Sequence, residues 1–503
     1  MQKRQTILVV ASLLVVVLSV TLAYFTAQII GEGKNISVTS TDLKIIFTDS
    51  DGSISGTNIE PGKWNVTKKF TIENKSNETY KYNIVIQDLV NTFVTEGYLQ
   101  YKITSTNGGY NMTEFKDVPK SETATDTILA YSVSISVGVT QSYTVEFKYA
   151  NDESVDQSND MGKKLSGTLF ITEGTEDPNK TLYNQLLVDK STKLTRTDFS
   201  KVLTDNNTNT LYTGVEDSKT VYYFAGNATD NWVKFGKNAS NQDLYWRIIR
   251  TNSDGSVRLL YHGTSTTTTD AYIGTSAFNS SYDNIAYVSY MYGSLGSISS
   301  ARENTNNSTI KTTIDNWYIS NLEAKGYTKY LSTTAVYCND RSNPAGGYNT
   351  GSTAFYYGGY TRLITNKAPT YDCTTTEDKF TVDTSTGNGK LTYPIALMTA
   401  DEVSFAGGLW ATNASTWYYY NSAKGSSTGS TYWWLLSPYH WYGSYANVFY
   451  VLGSSYPGYL SNNNVSSTGG VRPAISLKSC TLYSTGDGSA SDPYTIKETE
   501  TGC

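Results

Sequence analysis

Side chains that could carry out acid–base or metal chemistry are scarce in this chain. Its 503 residues include 2 histidines, His262 and His440, which excludes a multi-histidine metal site and leaves little room for Ser–His or Cys–His catalysis. The sequence contains no metal-ligand spacing and no phosphate-binding loop. Asp401 and Glu402 follow Thr399 in a capping-box pattern, which explains them as helix-start residues. We therefore expect a protein that is not an enzyme, with no catalytic residue, no metal and no cofactor.

The four cysteines are far apart in the sequence, which favours disulfides over a Cys-x-x-Cys metal or redox site. Cys338 and Cys373 enclose one segment, and Cys480 and Cys503 enclose another. Of the three possible pairings we predict this sequential one, with each bridge contributing about 3–4 kcal/mol through loop-closure entropy. Disulfides of this kind indicate an exported protein.

Aromatic side chains supply the other candidate chemistry, which is ligand binding. The chain has 42 Tyr and 9 Trp, and five of the Trp lie between Phe405 and Gly470, where Lys424 is the single charged residue. Trp433, Trp434, Phe449 and Val451 occur in apolar runs and are predicted to lie in the core.

A second group of residues in the same window is flanked by Gly, Ser, Pro and Asn, the composition of protein-binding loops in antibodies. Tyr in such a setting offers a rigid, amphipathic contact surface, and aromatic surfaces also stack on sugar rings. We therefore predict one exposed ligand-binding face, for a glycan or a host or bacterial surface protein. Its predicted members are Tyr439, Trp441, Tyr442, Tyr445, Tyr456, Tyr459, Asn462 and Asn463.

The elements that position these residues begin after an apolar N-terminus. Residues 7–25 carry no charge and follow Lys3 and Arg4, a pattern long enough to cross a membrane with the rest of the chain outside. Residues 1–30 are thus predicted to be a cleaved signal peptide or a membrane anchor. With 39 basic and 45 acidic residues, a net charge of −6, the chain has no basic surface suited to nucleic acid.

Three further regions follow. Residues 31–173 alternate apolar and polar side chains in short runs, such as Tyr143 to Tyr149, which predicts an all-β sandwich. Residues 174–214 are predicted to be a linker with one short helix. Residues 215–480 mix strand and helix periods, including a hairpin around Asn252-Ser-Asp-Gly255 and a helix capped by Ser308, and predict an α+β domain. Residues 481–503 are predicted to be a C-terminal tail.

The N-terminal half resembles a known family. Thr21-Leu-Ala-Tyr-Phe-Thr26, Glu60-Pro-Gly62 and Lys69-Phe-Thr-Ile-Glu-Asn74 are similar to the camelysin and biofilm-matrix-fibre family of Gram-positive bacteria. The resemblance covers about residues 1–173 and implies a jelly-roll or immunoglobulin-like sandwich, export, and a place on the cell surface or in the matrix. The metalloprotease activity described for some members is not carried over, because this half contains no histidine.

The C-terminal half resembles the C-type-lectin-like fold of the formylglycine-generating-enzyme group. The resemblance rests on Leu397-Met-Thr-Ala-Asp-Glu402, Trp433-Trp-Leu-Leu-Ser-Pro438 and Gly470-Val-Arg-Pro-Ala-Ile475. The C-terminal half is more similar still to uncharacterised surface proteins of gut Firmicutes. These proteins carry Trp-Arg-Ile-Ile-Arg, which is Trp246 to Arg250 here. Neither the catalytic cysteine pair of the enzyme group nor the Glu-Pro-Asn calcium motif of sugar-binding lectins is present, so the resemblance implies the fold without either chemistry.

These observations favour a non-catalytic, adhesin-like binding protein of the bacterial surface, membrane-anchored through residues 7–25 or secreted after cleavage. The alternative is a structural matrix or fibre subunit that self-assembles through the β-sandwich. A third interpretation is a ligand-binding protein diversified by a retroelement, in which residues 439–464 would be hypervariable. An enzyme is the least favoured.

Overall fold

The structure is a computed structural model that describes residues 35–39, 44–49, 54–55, 59–175, 177, 180–205, 207–267, 271–343, 353–419, 432–452 and 456–503. It is β-rich, with about 40% strand and 13% helix arranged in several sheets. The chain divides into two compact units, Met1–Pro178 and Asn179–Cys503. Among the described residues, no helix is both long and apolar enough to cross a membrane, and the predicted N-terminal segment 1–30 lies outside them.

The first unit consists of two antiparallel sheets. One has the strand order β1-β2-β4-β9-β6-β7 and the other the order β3-β10-β5-β8. A single 3₁₀ turn, Ser158–Asp160, is described between β9 and β10. The strands are β1 (Asn35–Thr39), β2 (Lys44–Asp49), β3 (Ile54–Ser55), β4 (Asn65–Asn74), β5 (Tyr80–Asn91), β6 (Leu99–Ser105), β7 (Lys116–Asp117), β8 (Ser121–Ile135), β9 (Thr140–Tyr149) and β10 (Leu165–Glu173).

The two sheets share one hydrophobic core, as predicted for a sandwich. In β9 the alternate residues Tyr143, Val145 and Phe147 are buried, because every second side chain of a strand points to the same face. They pack in the same cluster as Ile84 of β5 and Leu169 of β10 from the other sheet. The period-two pattern is therefore confirmed as the origin of the buried interface between the sheets.

The second unit contains the remaining described strands and several short helices. Its α-helices are α1 (Leu182–Asp189), α2 (Ile298–Ala301), α3 (Thr309–Tyr318), α4 (Gly358–Tyr360) and α5 (Ala400–Phe405). Its 3₁₀ and π turns are Ile285–Val288, Ile319–Glu323, Tyr327–Tyr330, Thr361–Thr365 and Thr376–Asp378. Its strands are β11 (Thr192–Thr195), β12 (Thr210–Glu216), β13 (Lys219–Tyr223), β14 (Trp232–Lys237), β15 (Asp243–Thr251), β16 (Val257–Gly263), β17 (Thr275–Ala277), β18 (Met291–Tyr292), β19 (Asn306–Asn307), β20 (Tyr337–Cys338), β21 (Phe355–Tyr356), β22 (Lys379–Phe380), β23 (Ile395–Leu397), β24 (Leu409–Trp410), β25 (Tyr432–Trp441), β26 (Ala446–Leu452), β27 (Tyr459–Asn464), β28 (Thr468–Gly470), β29 (Pro473–Leu477), β30 (Tyr483–Thr485) and β31 (Tyr494–Ile496).

Two larger sheets organise this unit. A ten-stranded sheet has the order β11-β12-β13-β15-β14-β31-β30, with β16, β29 and β23 continuing from β15. A seven-stranded sheet has the order β17-β28-β25-β26-β27-β24, with β21 also paired to β25. Both contribute side chains to one large hydrophobic core that includes Trp246 and Trp434.

Local signals in the sequence correctly located several elements of this unit. The Asn252-Ser-Asp-Gly255 turn joins β15 to β16 as an antiparallel hairpin, and Gly255 adopts φ +78°, a conformation that favours glycine. Ser308 caps α3 by accepting a hydrogen bond from the Lys311 amide. Thr399 and Glu402 form the reciprocal capping box of α5.

Residues 174–214, predicted to be a linker with one short helix, contain that helix and also strands of the ten-stranded sheet. Helix α1 packs into the core through Leu182 and Leu186, and β11 pairs in parallel with β12. The polar composition concealed this because β11 is an edge strand whose four residues are all exposed. Residues 481–503, predicted to be a C-terminal tail, contain β30 and β31, and β31 pairs with β14 inside the ten-stranded sheet.

Both disulfides predicted from the sequence are confirmed. Cys338 pairs with Cys373, Cys480 pairs with Cys503, and no cysteine is left free. Because such bridges persist only in oxidising compartments, they indicate an extracellular or secreted protein.

Candidate ligand-binding site

The aromatic window divides into core and surface residues. Trp433, Trp434, Phe449 and Val451 are at most 1% exposed, which confirms their prediction as core. Tyr439 and Trp441 are also buried, at 4% and 3% exposure, so the prediction that they lie on an exposed face is wrong. The register of β25 against β26 shifts between Pro438 and His440, and this irregularity is not visible in the sequence.

Tyr439 packs beneath the surface. Its ring stacks on Trp410, with centroids 5.1 Å apart and planes 11° apart, and meets Phe449 edge-on at 5.0 Å. It therefore supports the residues above it rather than facing solvent.

The predicted surface residues do not form one face. Tyr442 and Tyr445 lie in the loop before β26, whereas Tyr456 and Tyr459 follow that strand. Since β26 has seven residues, the two pairs lie at opposite ends of it, roughly 20 Å apart at about 3.4 Å per residue.

Asn462 and Asn463 lie in β27 between these ends and are half-buried. Asn462 accepts a hydrogen bond from Asn447 at 2.6 Å, and Asn463 donates to the Tyr432 hydroxyl at 3.2 Å. Both amides thus have partners within the sheet. Asn447 is also the ladder partner of His440 in β25, so Asn462 lies on the side of the β25–β26 hairpin that carries His440.

Tyr442 and Tyr445 instead join rings from a different part of the sequence. Five rings form a continuous series, which we call the ring row: Tyr360, Tyr356, His440, Tyr442 and Tyr445. Successive centroids are 3.6, 4.0, 3.8 and 4.8 Å apart. The pairs at the two ends are stacked, and His440 meets Tyr442 edge-on. Stacking at the two ends of the row covers part of the ring faces, while Tyr356 and Tyr442 remain partly exposed.

The ring row contains two of the four exposed aromatic side chains of the described residues. Of the described aromatic side chains, four are more than 36% exposed: Tyr282, Tyr356, Tyr442 and Tyr456. Two of these belong to the row, and the Tyr282 carbonyl accepts a hydrogen bond from the amide of Ala446, the residue after Tyr445. Exposed rings are thus concentrated around the β25–β26 hairpin.

Two segments build the row. The loop Tyr442-Gly-Ser-Tyr445 closes the β25–β26 hairpin, with the Tyr442 amide donating to the Tyr445 carbonyl at 3.0 Å and Gly443 at φ +84°. The second segment is residues 353–366, which we call the arm. Its strand β21 pairs with β25 so that Tyr356 lies directly opposite His440, and α4 then brings Tyr360 onto Tyr356.

The arm was missed by sequence reasoning, although a signal was present. Tyr356-Tyr-Gly-Gly-Tyr360 has the same Tyr and Gly composition as the predicted face. It lies outside the uncharged window, and the long-range pairing of β21 with β25 brings it to the hairpin.

The central part of the row is uncharged at neutral pH. Burial lowers the pKa of His440 to about 4, so the imidazole is neutral above that pH. Burial, together with the neighbouring tyrosines, raises the pKa of Tyr356 and of Tyr442. Among the described residues, the His440 Nδ1 atom is buried and has no hydrogen-bond partner.

His440 should make the stability of the second unit pH-dependent. Its folded pKa lies below the ordinary 6.5, so the unfolded chain binds the proton more readily and stability falls as the pH drops from about 6.5 towards 4. We expect His440→Gln to lose less stability than the wild type between pH 7 and pH 4.5, measured as urea midpoints by Trp fluorescence. Equal losses in the two proteins would contradict this assignment.

A buried charge network lies behind the arm. Glu402 accepts hydrogen bonds from Arg250 at 2.9 Å and from Arg258 at 2.7 Å, and Arg250 also pairs with Glu216 at 2.8 Å. Burial opposes ionisation of Glu402, but Arg258 and Arg250 hold its pKa below the ordinary value. Arg250, Arg258, Glu402 and Arg362 line a cavity of about 20 Å³, enough for only one or two water molecules.

The network therefore acts as an internal brace, and its cavity is too small for an organic ligand. In the described part of the chain, no group of three or more His, Cys, Asp or Glu side chains could hold a metal ion. The ring row remains the best-developed candidate site.

Comparisons with known proteins add a family match. A family model described as "Domain of unknown function (DUF6273)" matches residues 306–479, a range that includes the entire ring row. No curated protein matches the chain.

One solved structure is similar over a limited region. It is the crystal structure of a ruminal GH26 endo-beta-1,4-mannanase, at 16% identity and a TM-score of 0.15. The match covers 29% of this chain and 35% of that chain, so the chain spans about a third of the enzyme it matches. No conclusion about fold or activity follows from a TM-score this low.

Proposed function

We propose that the second unit is a non-catalytic binding domain of a bacterial surface protein and that the ring row is its ligand site. The observation that carries the proposal is the series of five touching rings with Tyr356 and Tyr442 exposed at 37% and 39%. Exposed, mutually packed tyrosines provide a rigid contact surface that loses little side-chain entropy on binding.

The chemistry of the row favours an uncharged, hydroxyl-rich ligand, and we propose a neutral glycan. The tyrosine hydroxyls can donate and accept hydrogen bonds, and the exposed parts of the rings offer apolar contact to the C–H surface of a sugar. The nearest cation of the arm, Arg362, is held by Asp401 and Asp340. It is therefore not available for a phosphate or a sulfate.

The remaining parts of the proposal concern scaffold and location. The motifs at Leu397–Glu402 and Gly470–Ile475 support a C-type-lectin-like scaffold, and the two disulfides support a location outside the cytosol. Residues 1–30 would direct export and could retain the protein at the membrane.

The test is a glycan array and a panel of surface proteins probed with the purified full-length protein, followed by titration of any ligand found. We expect Tyr442→Ala to weaken binding about tenfold and Tyr356→Ala with Tyr442→Ala about a hundredfold, as for exposed aromatic anchors of other interfaces. Tyr442→Phe, which removes only the hydroxyl, should lose about fivefold.

Tyr456→Ala is the matched control, because Tyr456 is 51% exposed but lies at the far end of β26. Its affinity should stay within twofold of the wild type. Equal losses at Tyr442 and Tyr456, or a wild type that binds nothing on either panel, would refute the proposed site.

A further inference from the structure

The arm is attached to the hairpin by only a few contacts. β21 contributes two residue pairs, Tyr356 with His440 and Phe355 with Trp441. The amide of Tyr357 donates to the Tyr439 carbonyl at 3.0 Å. A two-residue ladder is too short to hold a segment by itself. The buried side chains of Phe355, Tyr357 and Leu363 add core packing, and the orientation of the arm also depends on the ion pairs at its other end.

The charged anchor at that other end is Arg362. Arg362 lies two residues after Tyr360, in the π turn that continues α4. Its Nε and Nη2 atoms donate to both carboxylate oxygens of Asp401, each at 2.7 Å. Its Nη1 donates to Asp340 at 2.7 Å. Two-pronged guanidinium–carboxylate pairs of this kind fix orientation as well as distance.

The two carboxylates belong to rigid parts of the unit. Asp401 is in the first turn of α5, all of whose residues are buried, and it also accepts from the Thr370 amide at 3.1 Å. Asp340 follows Cys338 by two positions, next to the disulfide that closes the segment containing the arm. Arg362 therefore ties the arm to a core helix and to the disulfide-linked strand at once.

We propose that Arg362 is a positioning residue of the ring row. It holds Tyr356 and Tyr360 against His440 and Tyr442 without facing the ligand, so the two halves of the row form one surface only while its pairs with Asp401 and Asp340 are intact. The consequence for a ligand rests on the proposed function, whereas the placement of the arm can be measured without any ligand.

The experiment is hydrogen–deuterium exchange of the full-length protein as the wild type, Arg362→Gln and Arg362→Lys. Arg362→Gln should raise exchange across residues 353–366 by at least about tenfold, because it removes charge-assisted hydrogen bonds. Exchange in β25 and β26 should stay within twofold. Arg362→Lys keeps the charge without the planar fork and should give an intermediate rise.

Arg302→Gln is the matched control. The side chain of Arg302 is 20% exposed and that of Arg362 is 21% exposed, and each pairs with a buried carboxylate. The control should leave exchange in the arm unchanged. Unchanged exchange of the arm in Arg362→Gln, or an equal rise throughout the second unit, would overturn the proposal.

A binding measurement distinguishes a failure of this inference from a failure of the proposed function. If a ligand is found, Arg362→Gln should weaken it about tenfold, and unchanged affinity despite a loosened arm would refute the role of Arg362 in the site. If the wild type binds no ligand while the arm loosens as expected, the proposed function fails and the placement of the arm by Arg362 stands.

Discussion

Glu402→Ala is expected to destabilise the second unit by about 3–5 kcal/mol, the usual cost of breaking a buried ion pair. The side chains of Glu402 and Arg258 are each 1% exposed and that of Arg250 is 3% exposed. Removing the carboxylate leaves Arg258 without its acidic partner in the interior. It also removes the hydrogen bond from the Thr399 amide to Glu402, 2.9 Å long, that completes the capping box.

Urea unfolding followed by Trp fluorescence measures this effect, because eight of the nine Trp lie after residue 178. Glu402→Gln, which keeps a hydrogen-bond acceptor but not the charge, should lose less than Glu402→Ala. Lys237→Ala should unfold at the wild-type midpoint, since its pair with Asp243 is exposed on both sides. A Glu402→Ala protein as stable as Lys237→Ala would show that the network does not brace the unit.

The second large effect is expected at Lys190, directly after α1. Its ammonium pairs with Asp230 at 2.8 Å, the two side chains being 1% and 7% exposed, and also donates to the Asp487 carbonyl at 3.1 Å. These contacts join the first helix of the unit to the main sheet and to the loop before β31. Lys190→Ala should therefore cost about 3–5 kcal/mol by leaving a buried carboxylate unpaired.

A double-mutant cycle isolates the interaction between Lys190 and Asp230 from the effects of their other contacts. Because the two side chains interact directly, Lys190→Ala combined with Asp230→Ala should cost clearly less than the sum of the single changes. Additive losses would mean that the pair does not couple. A negligible effect of Lys190→Ala would mean that residues 180–195 are the flexible linker that their composition predicts.

Features that depend on neighbours in the sequence were predicted well. Alternation along β9, the turn at Gly255 and the capping box at Thr399 each involve residues one to four positions apart, and their physics is local. The sequential disulfides were also predictable, since closing the shorter loops costs less entropy. Burial of Trp433 and Trp434 followed from the apolar runs around them.

Features that depend on long-range pairing were not predictable. The exposed composition of β11 suggested a linker, because an edge strand need not carry an apolar face when its backbone is paired on one side. Tyr439 and Trp441 have the same flanking residues as exposed tyrosines, but they belong to β25, which is buried on both faces.

By itself, the sequence determined a β-rich, disulfide-braced protein of two units with an aromatic-rich, nearly uncharged segment in the second. It also determined that Tyr442 and Tyr445 were candidates for a surface. Only the tertiary structure decided which rings they meet: the arm and the hairpin are distant in the sequence, and the pairing of Tyr356 with His440 together with the Arg362 ion pairs joins them. Composition records which side chains are present, whereas strand pairing and buried charge decide which of them come into contact.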